Sequence, residues 1–187
     1  MMIKLIETQL KDIFENKDIC KACQGICCQD FGCECSPEDF NNDISLMRKA
    51  LESGKYSIDF ARKTIDAFVD CNGNLTIDID YVLYAKNEAF YIRARNKHRP
   101  IVDIIHREEE EGPCVMWSLE KGCELEYEER PRYGKTIIPV EPGRCKRLYP
   151  IEYMIQEWIP YNEELFKLAK EFFDKEWHLY KELNLVL

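Results

Sequence analysis

Neither the GxGxxG nor the GxxxxGK[ST] phosphate cradle occurs in this 187-residue chain, which argues against a dinucleotide or nucleoside-triphosphate site of those kinds. The GxSxG turn that carries a hydrolase serine is missing as well. No stretch approaches the roughly 20 apolar residues of a membrane-spanning helix. Histidine is scarce: His98, His106 and His178 are the three present, and none stands at ligand-like spacing from a cysteine. Positive charge is also short. Lys and Arg number 26 against 35 Asp and Glu, a formal net charge of −9 that argues against a general nucleic-acid or anionic-membrane binder. With 45% hydrophobic and 12% aromatic residues the chain is not disordered, and its length suits one domain over residues 1–187.

What it has in abundance is cysteine, ten residues in all. Ten thiols mean either disulfides in an oxidising compartment or thiolates that hold metal in a reducing one. The opening stretch carries Glu7, Asp12 and Glu15 and lacks the unbroken apolar run of a signal peptide. A chain of this size and apolar content also folds without covalent staples. The expectation is a cytoplasmic protein with reduced thiols. Cys20, Cys23, Cys27 and Cys28 fall within nine residues, a spacing that lets one loop wrap a soft cation. Cys114, Cys123 and Cys145 follow much later, the first two directly after Pro113 and Gly122, where backbone bends toward an ion. These seven exceed the four ligands of a structural zinc, so the count allows one centre or two, and zinc or an iron–sulfur cluster equally.

The predicted fold class is α+β, with a small antiparallel sheet, packed helices and an irregular cysteine-rich metal-binding lobe. Ile3, Ile6, Leu10, Ile13 and Phe14 keep helical spacing. Ser36-Pro37-Glu38-Asp39 reads as a helix start, with Phe40, Ile44, Met47 and Leu51 as its buried stripe and Gly54 as its stop. YSIDF, LTIDI, AFYIRAR and IVDII alternate as strands, while residues 61–70 are compatible with a helix. Asn72 to Asn74 and Asn96 to Pro100 read as turns, and residues 106–112 as a solvated acidic loop. From Pro113 to Pro150 no periodicity survives, and metal is the natural device to fix such a segment. A long helix capped by Asn162 carries Leu165, Leu168, Ala169, Phe172, Phe173, Tyr180 and Leu183 on one face.

The order of these motifs resembles the YkgJ-type cysteine-cluster family, which chelates zinc or iron. CKACQGICC (20–28), GPCVMW (112–117), GCELEYEERP (122–131) and CKRLYP (145–150) follow the family order. The resemblance implies metal chelation by Cys20, Cys23, Cys27, Cys28, Cys114, Cys123 and Cys145 in a small cytoplasmic protein. Flagellin lysine methylases carry a similar cluster within a longer chain. Thirteen residues separate Pro131 from Cys145 where the family commonly has a couple, and an extra residue precedes the aromatic after Cys145. The competing reading is an enzyme: a redox protein cycling its cluster or surplus thiols, or a relative of the protein methylases. A pocket lined by Asp78, Arg93 and Arg95 would favour it. The CxxxCxxC order of radical enzymes is reversed here, which discounts that activity.

Other residues carry two readings each. Cys33 and Cys35 extend the metal site or pack as small hydrophobes, and Cys71 is a core or edge thiol. Arg130, Arg132, Arg144 and Arg147 offset thiolate charge, form an anion patch, or pair with the abundant glutamates. Asp78 and Asp80 belong to a polar strand face. Trp117, Tyr127, Tyr149, Tyr153 and Trp158 form the core around the metal lobe.

Overall fold

The computed structural model describes residues 17–22, 24–25, 32–60, 68–69, 75–76, 89–103 and 112–182. The expected helix over residues 3–14, the turn at 72–74, Cys71, Asp78, Asp80 and the acidic stretch 106–111 lie outside these residues. The architecture is α+β: short antiparallel ribbons with packed helices. Its centre is the antiparallel pair β1 (Tyr56–Phe60) and β4 (Phe90–Ala94), in register from Tyr56 opposite Ala94 to Phe60 opposite Phe90. Residues 33–35 line the other edge of β4, where Cys35 N–H donates to Ile92 O at 2.9 Å and Ala94 N–H to Cys33 O at 2.9 Å. Residues 101–103 line the other edge of β1 in parallel, bonded to both backbone groups of Ile58 at 2.7 Å. A second ribbon joins β2 (Phe68–Val69) to β3 (Leu75–Thr76), so Phe68 and Val69 are strand, not helix.

The β1 sequence promised alternation, with polar residues turned to water, but Ser57 and Asp59 are as buried as Ile58 and Phe60. The reason is a buried charge network. Arg93, across from Ser57, reaches Asp59 at 3.1 Å and Asp103 at 3.1 Å, and Arg99 holds Asp103 from the opposite side. A charge can be buried only if it is paired, and here the pairing joins β1, β4 and the 101–103 segment. Arg95 is equally structural: it donates to the carbonyls of Gly54 and Arg99, both at 2.6 Å.

The apolar face of the sheet meets the helices. The helix expected from Ser36 onward is broken into a 3-10 turn, Pro37–Phe40, and α2, Ile44–Glu52. Asn41 and Asn42 divide them with φ of 52° and 58°, a left-handed conformation that asparagine tolerates. Asp43 caps α2 by accepting Ser45 N–H at 2.7 Å. Phe40, Met47 and Leu51 are buried as the spacing promised, and Gly54 follows the helix with φ of 68°. The terminal helix, Asn162–Glu182, buries Leu165, Leu168, Ala169, Phe172 and Phe173 against the same core. Asn162 acts between elements rather than only within its helix, accepting Phe90 N–H at 2.9 Å. Arg48 of α2 and Glu171 of the terminal helix meet at 2.6 Å, and Glu171 is drawn down to about 2 by Arg48 and Lys175.

Residues 113–150 are not irregular. They form the hairpin β5 (Trp117–Ser118) to β6 (Gly122–Cys123), a 3-10 turn (Tyr127–Glu129), the one-turn helix α3 (Arg132–Lys135), and the hairpin β7 (Ile137–Glu141) to β8 (Arg144–Arg147). Helix α4, Ile151–Trp158, follows and buries Met154, Ile155 and Trp158. The two-residue strands β5 and β6, and the proline and register shift within β7, leave too little periodicity to read. Among the described residues no helix is long and apolar enough to cross a membrane.

Replacing Arg93 by alanine would take the paired cation from buried Asp59 and leave Asp103 with Arg99 alone. We expect a loss of about 3–5 kcal/mol in urea unfolding, the usual effect of removing one member of a buried ion network. A loss below about 1 kcal/mol, the range of exposed ion pairs, would mean that Arg93 does not organise the sheet.

Candidate metal centre

The C-terminal end of β4 is where Cys33 and Cys114 meet. Cys33 approaches from one edge through its bond to Ala94. From the other edge, where β1 has ended, Val115 N–H donates to Arg95 O at 2.8 Å and Lys97 N–H to Pro113 O at 2.7 Å, which sets Cys114 opposite Asn96. Asn96 is fully buried, and its carboxamide oxygen accepts Gly32 N–H at 3.1 Å, so one side chain steadies both thiol-bearing segments. Ala94, Cys114 and Met116 form a small buried cluster with Cys33, Trp117 and Leu125 packed around it.

Beyond Cys114 the chain turns tightly, with Trp117 N–H donating to Cys114 O at 3.1 Å. The β5–β6 hairpin then brings Cys123 into register opposite Trp117, turning through Gly122 at a φ of 72°. Cys33, Cys114 and Cys123 thus lie close enough for a charge on one to act on another. Gly134 of α3 makes space for the first: a Cβ there would stand 2.8 Å from Cys33 Sγ. Cys33, which the sequence left between ligand and packing thiol, stands nearer to this group than its position outside the motif suggested. Its signal was its place in the same cysteine-rich stretch.

The N-terminal stretch docks on the same hairpin. Helix α1, Lys17–Ala22, carries Cys20 and closes with Gly25 N–H donating to Cys20 O. Gln24 O then accepts the Trp117 indole N–H at 3.1 Å. Gly25 has φ of 68°, and a Cβ on it would stand 3.0 Å from Trp117 Nε1 and 3.9 Å from Gly122 Cα. Only a residue without a side chain fits that approach. Helix α1 also lies against β7, whose Pro139 is opposite Cys145 in β8. Of the seven cysteines singled out, Cys20, Cys114, Cys123 and Cys145 are therefore located, whereas Cys23, Cys27 and Cys28 lie outside the described residues. Among the described residues no three His, Cys, Asp or Glu side chains are gathered closely enough to hold a metal ion.

Electrostatics favours neutral thiols at this end of the sheet. Burial pushes Cys33 well above the ordinary thiol range, and the neighbouring Cys114 and Glu34 add to it. Cys114 is raised by burial against the opposing pull of Met116 N–H, which donates to its Sγ at 3.4 Å. Cys35 is also raised by burial, then by Asp39. Glu34 is paired with Arg147 at 2.7 Å, so that arginine offsets a carboxylate next to Cys33. Arg132 pairs with Glu157 at 2.8 Å and Arg144 with Glu141 at 3.1 Å, which is the pairing role weighed for them. Arg130 donates to Leu125 O and lies over the Tyr127 ring.

Arg93 and Arg95 serve the sheet, and Asp78 lies outside the described residues. A cavity of about 350 Å³, bordered by Cys35, Asp39, Tyr56, Arg130, Arg132 and Lys135, involves neither arginine. Trp158 belongs to the main core, where its indole N–H donates to Cys35 O at 2.9 Å, while Trp117 is the aromatic packed on Cys114.

Raised thiols give a signed pH dependence. The metal-free fold binds these protons more tightly than the unfolded chain does. Their contribution to stability is therefore complete below the unfolded thiol pKa of about 8.5 and is lost as pH rises through the higher folded values. Thiolate absorbance of the metal-free chain should lag that of the same chain in denaturant as pH rises above that value. Coincident curves would refute the burial argument. Searches of family models, curated proteins and solved structures returned no match to this chain, so the reading of this site rests on its own residues.

Proposed function

We propose that this chain is a cytoplasmic thiolate metal protein of the YkgJ type, holding zinc or an iron–sulfur cluster between its two cysteine-bearing segments. Cys20, Cys23, Cys27 and Cys28 supply one side and Cys114, Cys123 and Cys145 the other, with Cys33 at their junction. The observation that carries this reading is the Trp117–Gln24 bond with the close approach of Gly25 to Gly122. It joins segments more than 90 residues apart, one carrying Cys20 and the other Cys123.

The donor set suits the group. Clustered sulfurs are soft ligands, and zinc and iron–sulfur clusters are the species that such sets select. Burial keeps the thiols protonated until a cation replaces the protons, so loading releases protons and weakens as pH falls. The bound group would supply a fixed charge and a cross-link between the segments. The chain's own part is to hold Cys33, Cys114 and Cys123 at the end of β4.

Protein purified without oxygen should contain stoichiometric zinc or iron by elemental analysis. Cys23→Ser and Cys114→Ser should each release most of it, whereas Cys71→Ser should leave it unchanged. Equal metal loss from all three variants would overturn the ligand assignment. A folded, metal-free protein with its cysteines paired as disulfides would overturn metal binding itself.

A further inference from the structure

The net charge of −9 conceals a sharp division. Residues 130–148 contain six cations, Arg130, Arg132, Lys135, Arg144, Lys146 and Arg147, against the single carboxylate of Glu141. That stretch is +5, which leaves −14 on the rest of the chain. The stretch just before it is the opposite. Residues 119–129 hold Glu120, Glu124, Glu126, Glu128 and Glu129 against one lysine, and all five glutamates are exposed.

Apolar residues lie exposed in both stretches and just beyond them. Leu119, at the tip of the β5–β6 hairpin, is 69% exposed and borders the acidic stretch. Val140 and Leu148, on the basic hairpin, and Ile151 and Tyr153, just after it, are also exposed. The β7–β8 hairpin forms a two-stranded sheet of its own, and its tip from Val140 to Arg144 is exposed throughout. Helix α1 lies against β7, but the tip of the ribbon extends beyond that contact into solvent.

We infer that this lobe is a self-complementary docking surface for a second copy of the same chain. In a two-fold arrangement the basic hairpin of each copy faces the acidic stretch of the other, and each contact occurs twice. Leu119 of one copy meets the aliphatic residues beside the other's hairpin. A nucleic acid or an anionic bilayer fits less well. Each is a continuous negative surface that would also meet the −14 remainder, and neither answers the adjoining acidic stretch. A second copy answers both signs. The argument uses no metal ligand and is independent of the metal reading.

The test is the mass of the full-length protein as purified without oxygen, by light scattering on a sizing column. At low salt the mass should be twice 22.2 kDa, returning to 22.2 kDa at about 1 M salt, where the screening length is about 3 Å. The double variant Arg144→Glu, Lys146→Glu should be monomeric, and so should Glu120→Lys, Glu124→Lys. Mixing the two variants should restore a dimer, because in the mixed pair the unaltered hairpin of one copy meets the unaltered acidic stretch of the other, and the reversed charges meet each other. Circular dichroism of each variant establishes that it is folded, and its metal content, measured separately, bears on the metal reading alone. A monomer at every salt concentration, or a dimer that ignores both sets of reversals, would overturn the inference.

Discussion

Arg93 is buried between Asp59 and Asp103, and much of the remaining geometry depends on that arrangement. A guanidinium out of water is tolerable only when its partners are fixed, so β1, β4 and the 101–103 segment cannot slide past one another without stranding charge. The apolar face opposite is free to meet α2 and the terminal helix. The network thus fixes one face and hydrophobic burial the other. Their joint effect is to place the end of β4.

That end gathers chemistry because β1 stops at Tyr56 while β4's direction continues through Arg95 to Lys97. The 113–115 segment takes the vacated edge and brings Cys114 with it; the 33–35 segment already holds the opposite edge with Cys33. Two segments distant in sequence thereby become neighbours through ordinary sheet bonding. Trp117 then ties the Gln24–Gly25 turn to the hairpin carrying Cys123. Burial makes these sulfurs reluctant to ionise, which is the condition under which binding a soft cation and releasing protons become linked.

The sequence by itself determined the α+β class, because helical spacing in residues 44–52 and 162–173 and alternation in 56–60 and 90–94 are local properties of the chain. It also marked the cysteines, because short spacing is itself a chemical signal. Tertiary structure decided what each polar residue does. Asp59 was placed inside by a partner, Arg93, that lies 34 residues beyond it and shows no pattern with it. Asn41 and Asn42 broke a helix whose apolar stripe was otherwise intact. The hairpins of residues 113–150 escaped notice because the strands of the first have only two residues each and the second is interrupted by Pro139 and a register shift. Cys33 and Cys114 became neighbours only through the edges of β4, since spacing along a chain reports local curvature whereas proximity between distant segments is decided by which edges a sheet leaves open.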